Sequence, residues 1–254
     1  MPLLVQDGKI LFPAPLVEAT VVRRPNRFIV EVEVAGDVVA CHCPTTGRIG
    51  NLVLDGLPCL LSRADNPARK TPYTVEAVSV TVPGAGEMAW IGINQNAVNR
   101  YVEQALAHHL LPDIATPAEV SREQTLGASR LDFLLDDATY VEVKTPLENL
   151  QVPLGDHVKT RPVKPMASTD RFVKHIGELG ASLAAHQRAV LLVCFQYDNP
   201  GFEVLKSTRH ETVKAEVAKA VESGVEIWQI NFHLDQTGVR VQRHFELTDR
   251  FLGC

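Results

Sequence analysis

No apolar run in this chain comes near the ~20 residues that a helix needs to cross a bilayer; "AVLLVCF" at 189–195 has the length of one buried strand. The N-terminal stretch "MPLLVQDGKILFPAP" has no basic lead ahead of an apolar block and a small-residue cleavage site, so no signal peptide is expected. Both absences point to a cytoplasmic protein with no membrane partner. Cysteines number five, an odd count in 254 residues, which argues against a disulfide framework. Positive charge is in deficit: 25 Lys and Arg stand against 30 Asp and Glu, a formal net charge of −5. The chain as a whole therefore exerts no pull on nucleic acid or anionic membrane, and any polyanion site is local. Neither a Ser-His-Asp spacing nor a glycine-rich phosphate loop occurs, which removes serine hydrolases and P-loop enzymes. Internal repeats and low-complexity tracts are absent too.

What is present divides into two regions. With 45% hydrophobic residues the chain can fill one large or two modest cores. Up to residue 83 the text is strand-like and rich in turns: "FIVEVEVAGDVVACHC" alternates Ile29, Val30, Val32 and Val34 with Glu31 and Glu33, and "YTVEAVSVTV" behaves similarly. This predicts a small β domain over 1–83, joined through "VPGAG" at 82–86 to a second domain over 84–254. In that second region "NAVNRYVEQALAHHLL" places Val98, Tyr101, Val102, Ala105 and Leu106 at helical spacing. Strands follow around Gly127 and Asp136-Asp137, then a polar, proline-rich loop from Pro146 to about Ala167. "STDRFVKHIGELGASLAAH" reads as a helix capped by Ser168 or Thr169, with Phe172, Val173, Ile176, Leu179 and Leu183 inward. "RAVLLVCFQY" reads as a buried strand, "TRHETVKAEVAKAVESG" as a helix, and "VEIWQINFHL" as a last strand. The second region is mixed α/β.

Within "LDFLLDDATYVEVKTPL", at 131–147, three charged residues stand where a strand pair would hide them. Asp132 interrupts Leu131, Phe133 and Leu134; Glu142 and Lys144 interrupt Tyr140, Val141 and Val143. Residues two apart on a strand share a face about 7 Å from each other, so Glu142 and Lys144 project together, as do Arg130 and Asp132. If the strands pair through "DDAT", an aspartate, a glutamate and a lysine converge at one end of a sheet. Two carboxylates suit Mg²⁺ or Mn²⁺, and an ammonium beside them suits an attacking water, as in phosphodiester hydrolysis. The spacing alone is loose, and it fits a cross-strand ion pair on a solvated face at least as well, worth ~0 to 1 kcal/mol.

The stretches "NRFIVEVEV", "HCPTTGRIGNL", "RADNPARKTPYTVE", "IGINQNAVNRYVEQAL", "SRLDFLL", "YVEVKT" and "TDRFVKHI", in that order, resemble the sugar fermentation stimulation protein family. That resemblance implies an α+β chain: an N-terminal OB-like β-barrel followed by a PD-(D/E)xK nuclease-like α/β domain. It also implies DNA binding. The nuclease-like signature falls on Asp132, Glu142 and Lys144, with Glu123 as the acidic position of the preceding strand. Departures occur where the family's helix glutamate falls on Gln104, beside Glu103, and where Thr-x-Arg-Gly-x-x-His appears as Thr169, Arg171, Phe172 and His175.

Basic residues on the β domain (Arg23, Arg24, Arg27, Arg48, Arg69 and Lys70) form either a phosphate groove or a scatter of solvated charges. Thr46 and His42 would lie on the same surface; in "CHCP" His42 more readily shapes a turn than binds zinc with Cys41 and Cys43. Between 159 and 175, Lys159, Arg161, Lys164, Arg171 and Lys174 against Asp170 give +4, a local reversal of the chain's sign. Arg130, Arg171 and His175 complete the expected nucleic-acid contacts. The expectation is a DNA-binding protein, with RNA an open alternative, that hydrolyses phosphodiesters with Mg²⁺ or Mn²⁺ held by Asp132 and Glu142. The alternative is a non-catalytic, non-specific DNA-binding protein regulating sugar metabolism on a nuclease-like fold. A homodimer is left open.

Overall fold

A computed structural model describes residues 3–66, 68–84, 86–126, 129–162, 170–202 and 210–252. In chain order its elements begin with β1 (Val5–Gln6), β2 (Lys9–Leu11), β3 (Val17–Asn26), β4 (Ile29–Val34), β5 (Asp37–His42), β6 (Pro58–Arg63), β7 (Tyr73–Ser79) and β8 (Trp90–Gly92). They continue with α1 (Gln95–Ala107), β9 (Val120–Leu126), β10 (Ser129–Leu135), β11 (Thr139–Lys144), α2 (Asp170–Ser182) and β12 (Arg188–Phe195). The chain ends with α3 (His210–Glu222), β13 (Glu226–Leu234), β14 (Gly238–Glu246) and α4 (Thr248–Leu252).

Strands β3 to β7 close into the expected OB-like barrel. The sheet runs β5-β4-β3-β6-β7-β8, and a parallel pairing of His42 with Thr74 joins β5 to β7. Closure removes the open edges that a short sheet would otherwise expose. The alternation of β4 works as written: Val30 and Val32 are fully buried, while Glu31 and Glu33 face outward.

The α/β domain is an eight-stranded sheet in the order β1-β2-β14-β13-β12-β11-β10-β9. Its centre, β11-β12-β13, is parallel because α2 and α3 make the crossovers. Helices and neighbouring strands cover both faces there, so all of Ala189 to Phe195 is buried, as a continuous apolar run requires. Helix α1 buries Val98, Tyr101, Val102, Ala105 and Leu106 against one face of the sheet. Helix α2 buries Ile176 and Leu179 in the core on the other, with Phe172, Val173 and Leu183 at its margin. Among the described residues no helix is long and apolar enough to cross a membrane.

Two features differ from the expected division at residue 83. The N-terminal strands β1 and β2 join β14 in the second sheet, where Lys9 pairs with Asp235, and β8 still belongs to the barrel's sheet beyond the expected linker. The strand "VEIWQINFHL" is followed by a further one, β14, which separates it from β2.

The two parts dock closely. A Cβ on Gly92 would stand 2.4 Å from the Gln196 Cβ, and the Gly92 amide donates to the Gln196 carbonyl at 2.9 Å, so only glycine allows β8 this approach to the end of β12. The loop after β11 crosses to the barrel as well. Gly50 donates to the Leu147 carbonyl, Val53 to that of Lys159, and Arg161 to that of Asn51. With φ at +52° and Leu150 packed over it, Gly50 has no room for a side chain. The end of β11 is thereby pinned against the barrel.

Candidate functional site

Register places Asp132 and Glu142 together. The β10–β11 ladder pairs Leu135 with Thr139, Leu134 with Tyr140 and Phe133 with Val141, and stops there. Past that point the Asp132 carboxylate enters the gap: Oδ2 accepts the Val143 amide at 2.8 Å and Oδ1 accepts Asn99 Nδ2 of α1 at 2.6 Å. The ladder with β9 also breaks here, omitting the Glu123–Asp132 pair between Gln124–Leu131 and Arg122–Phe133, and Glu123 takes φ +53°. Such backbone in a non-glycine residue is a local strain of the kind that re-aims side chains.

Glu142 is 2% exposed. Its Oε1 accepts hydrogen bonds from Lys144 Nζ and from Nδ1 of His175 on α2, and Lys144 Nζ lies 3.4 Å from that same nitrogen. Its Oε2 is buried and accepts nothing among the described residues. Lys144 keeps 24% of its side chain exposed, so one cation of the cluster reaches solvent. Burial raises the Asp132 carboxyl above its usual range and the Glu142 charge raises it further, against the pull of the Val143 amide, Asn99 and Lys144. A solvated salt bridge is excluded: three of the four groups are largely out of water.

The donor set fits a hard cation in kind, with two convergent carboxylates and one buried oxygen still lacking a partner. No group of three or more His, Cys, Asp and Glu side chains at metal-holding spacing occurs among the described residues. Asp132 and Glu142 would therefore leave most of a cation's coordination shell to water and substrate.

The other expected residues divide. Glu123 does not reach the cluster; its carboxylate pairs with Arg130 at 2.6 Å, and that engages Arg130 as well. His175 faces Glu142 instead of solvent. Glu103 pairs with Arg122, and it is Asn99, not Gln104, that α1 sends to Asp132. Asn99 was missed by sequence reasoning, and a lone polar residue on an amphipathic helix carries no signal.

On the barrel, Arg23 is held by Glu31 and Arg24 is structural, donating to the carbonyls of Thr45, Gly47 and Arg27. Those bonds set the positions of Arg27, which lies over the Phe28 ring, and of the loop carrying exposed Thr46 and half-buried Arg48. Arg48 also reaches Glu148. Arg69 donates to Thr74 close to His42, and Lys70 is exposed. Cys41 and Cys43 are core thiols, raised by burial, to about 11 at Cys41. The side chain of Arg171, and Lys164 and Thr169 entirely, lie outside the described residues.

Comparison with known proteins covers both parts. Residues 22–93 match the family model described as the SfsA N-terminal OB domain, and residues 96–238 the sugar fermentation stimulation protein RE domain. Sugar fermentation stimulation protein homologs from Teredinibacter turnerae and Pseudoalteromonas atlantica are each 35% identical, over 92% and 91% of this chain and 97% of theirs. A solved structure of Pyrococcus furiosus SfsA in complex with Ca²⁺ aligns with a TM-score of 0.69 at 21% identity, covering 93% of this chain and 97% of that one. The matches run through barrel and α/β domain alike, and the chain belongs to the sugar fermentation stimulation protein family.

Proposed function

We propose that this protein binds DNA across its barrel and hydrolyses phosphodiesters, with Mg²⁺ or Mn²⁺, at Asp132, Glu142 and Lys144. The observation that carries this reading is the buried Glu142 Oε2, which has no partner among the described residues, while Oε1 of the same carboxylate holds Lys144 and His175. A buried oxygen left without a donor opposes folding, and a cation shared with Asp132 would complete it. That ion, when bound, would place positive charge at the oxygens of the scissile phosphate. The Ca²⁺ of the Pyrococcus furiosus relative is consistent with a cation site in this fold.

The chain's own groups do the rest. Lys144 holds the attacking water and offsets charge growing on the phosphorane oxygens, an effect concentrated in the transition state. His175 fixes Glu142, and Asn99 with the Val143 amide aims Asp132. Arg27, Thr46, Arg48, Arg69 and Lys70 contact phosphates, which orients a strand with little preference for sequence. The docked loop at 147–161 brings that groove to the end of β11. One observation favours a non-catalytic regulatory binder instead: both Asp132 oxygens already accept protein donors.

The test is incubation of the protein with plasmid, single-stranded DNA and RNA in Mg²⁺, Mn²⁺ or EDTA. Cutting is expected with metal and not with EDTA. Lys144→Ala is expected to slow it by at least about 100-fold while DNA affinity changes only a few fold. A fully active Lys144→Ala protein would remove the lysine from the chemistry, and a wild type inert in every metal would leave the regulatory binder.

A further inference from the structure

A separate cavity of about 460 Å³ lies where the barrel, α1 and the N-terminal segment meet. That volume falls within the ~300–1,000 Å³ of pockets that enclose small organic ligands. Its surroundings are of three kinds. The N-terminal segment supplies an apolar wall, Phe12 and Pro13, with Phe12 packed edge-on against Tyr101. Arg69 and Arg100 bring positive charge. Glu76 and Asn94, only 7% and 6% exposed, supply buried acceptors.

The polar groups are incompletely matched by the protein. Glu76 accepts Ser62 Oγ at 2.5 Å and Asn94 Nδ2 at 2.7 Å, both neutral donors, and among the described residues no cation bonds to this buried carboxylate. Asn94 Oδ1 is buried and has no partner among the described residues. Among the described residues the Arg69 guanidinium donates to the Thr74 hydroxyl, at 3.2 Å, and Arg100 makes no side-chain hydrogen bond or ion pair. Two exposed guanidinium groups with no carboxylate hydrogen-bonded to them among the described residues, beside a buried Asn94 oxygen that lacks a donor, fit a ligand that is anionic at one end and donates hydrogen bonds at the other. The apolar wall calls for a flat face between them.

We propose that this cavity is a nucleotide subsite, taking one nucleoside monophosphate unit with its phosphate on Arg69 and Arg100, its base against Phe12, and its amino or hydroxyl donors toward Asn94 and Glu76. The proposal rests on the nucleic-acid reading above and extends it. Arg100 adjoins Asn99, which holds Asp132, so subsite and hydrolytic cluster share one helix.

Calorimetry in EDTA with 5′-deoxynucleoside monophosphates, the matching nucleosides and inorganic phosphate tests the site without cleavage. The monophosphates are expected to bind saturably and more tightly than either fragment. Arg69→Ala and Arg100→Ala should each weaken them about tenfold or more, since each removes charge-assisted hydrogen bonds. Lys219→Ala, on α3, should change nothing. A 5′-phosphorylated oligonucleotide that binds more tightly than the free monophosphate assigns the subsite to a strand end, and the reverse order assigns it to free nucleotides; either supports the cavity. Equal affinity of wild type and both arginine variants overturns it, as does a lack of saturable binding into the millimolar range. A protein that binds monophosphates but cuts nothing with Mg²⁺ or Mn²⁺ keeps the subsite and loses the hydrolytic reading, and one that cuts yet ignores monophosphates does the opposite.

Discussion

On the barrel, Arg23 meets Glu31 across β3 and β4 with 62% of the arginine side chain in water; at the end of β11, Glu142 meets Lys144 and His175 with 3% of its own side chain exposed. The same kinds of residue behave differently in the two places. A solvated pair contributes little to stability and exchanges partners readily. A buried cluster is held only while every charge keeps its counterpart, because desolvation of each is expensive. The Arg23–Glu31 pair is accordingly replaceable, and the β11 cluster an interdependent unit.

Removing Glu142 is the hardest blow to that distinction. Glu142→Ala leaves Lys144 and His175 facing each other without the carboxylate they share. Breaking a fully buried pair costs about 3–5 kcal/mol; with a quarter of Lys144 exposed, a loss of about 2–3 kcal/mol is expected in urea unfolding. Mn²⁺ uptake, followed by water relaxation, should fall with it. Arg23→Ala should leave the unfolding midpoint where it was. Equal losses from the two substitutions would erase the difference between the regions.

The barrel side of the comparison is sharpened by replacing Arg27 and Arg48 together with alanine. Both are expected to contact phosphate, so affinity should fall on every sequence tested and the log–log salt slope should shrink by up to about 2. Cleavage at saturating DNA should stay near the wild-type rate, because the cluster is untouched. The Arg48–Glu148 contact makes the Arg48 share the smaller one. A drop in the saturated rate with affinity intact would mean that the barrel takes part in the chemistry.

Much of this was legible in the residues. Asp132, Glu142 and Lys144 stood out because charge interrupted an apolar alternation, and the fold brings the three groups together around a buried Glu142. A small β domain followed from the alternation in "FIVEVEV"; that it closes as an OB-like barrel came from the family resemblance. His175 was readable but misassigned: it lies three residues after Phe172 and four before Leu179, hence on the inward flank of α2, where a phosphate contact was less natural than a partner within the protein. Glu123 was out of reach for local reasoning. Period-two alternation assumes an unbroken strand, and the break at Glu123 and Asp132 turns one carboxylate into the gap and sends the other to Arg130. Which sheet β1 and β2 join was equally hidden, since it depends on Lys9 finding Asp235 across most of the chain. Asn99 depends on how α1 is rotated against β10, a property of packing with no mark in the helix's own pattern.

The smallest expected effect concerns a buried carboxylate outside the cluster. Glu76, on β7, is raised above the ordinary 4.5 by burial, against the hydrogen bonds of Ser62 and Asn94 and the charges of Arg100 and Arg69, which pull it down. Above its folded pKa the group is ionised in both native and unfolded chains, so folding bears the full penalty of burying the charge. As pH falls through the raised value the native carboxyl takes its proton first and the penalty shrinks; below 4.5 both states are protonated and it is gone. Glu76→Gln removes the charge at every pH. Its Oε1 can keep the hydrogen bond from Asn94 Nδ2, so the charge is lost and that bond is not. The variant should therefore be more stable than wild type at neutral pH, because the penalty for burying the charge is gone. That advantage should narrow as acid is added, read from urea midpoints at a series of pH values. A destabilised Glu76→Gln, with a gap independent of pH, would show that the ionised carboxylate is held by Arg69 and Arg100 firmly enough to behave like the β11 cluster, and the line between the two regions would have to be redrawn.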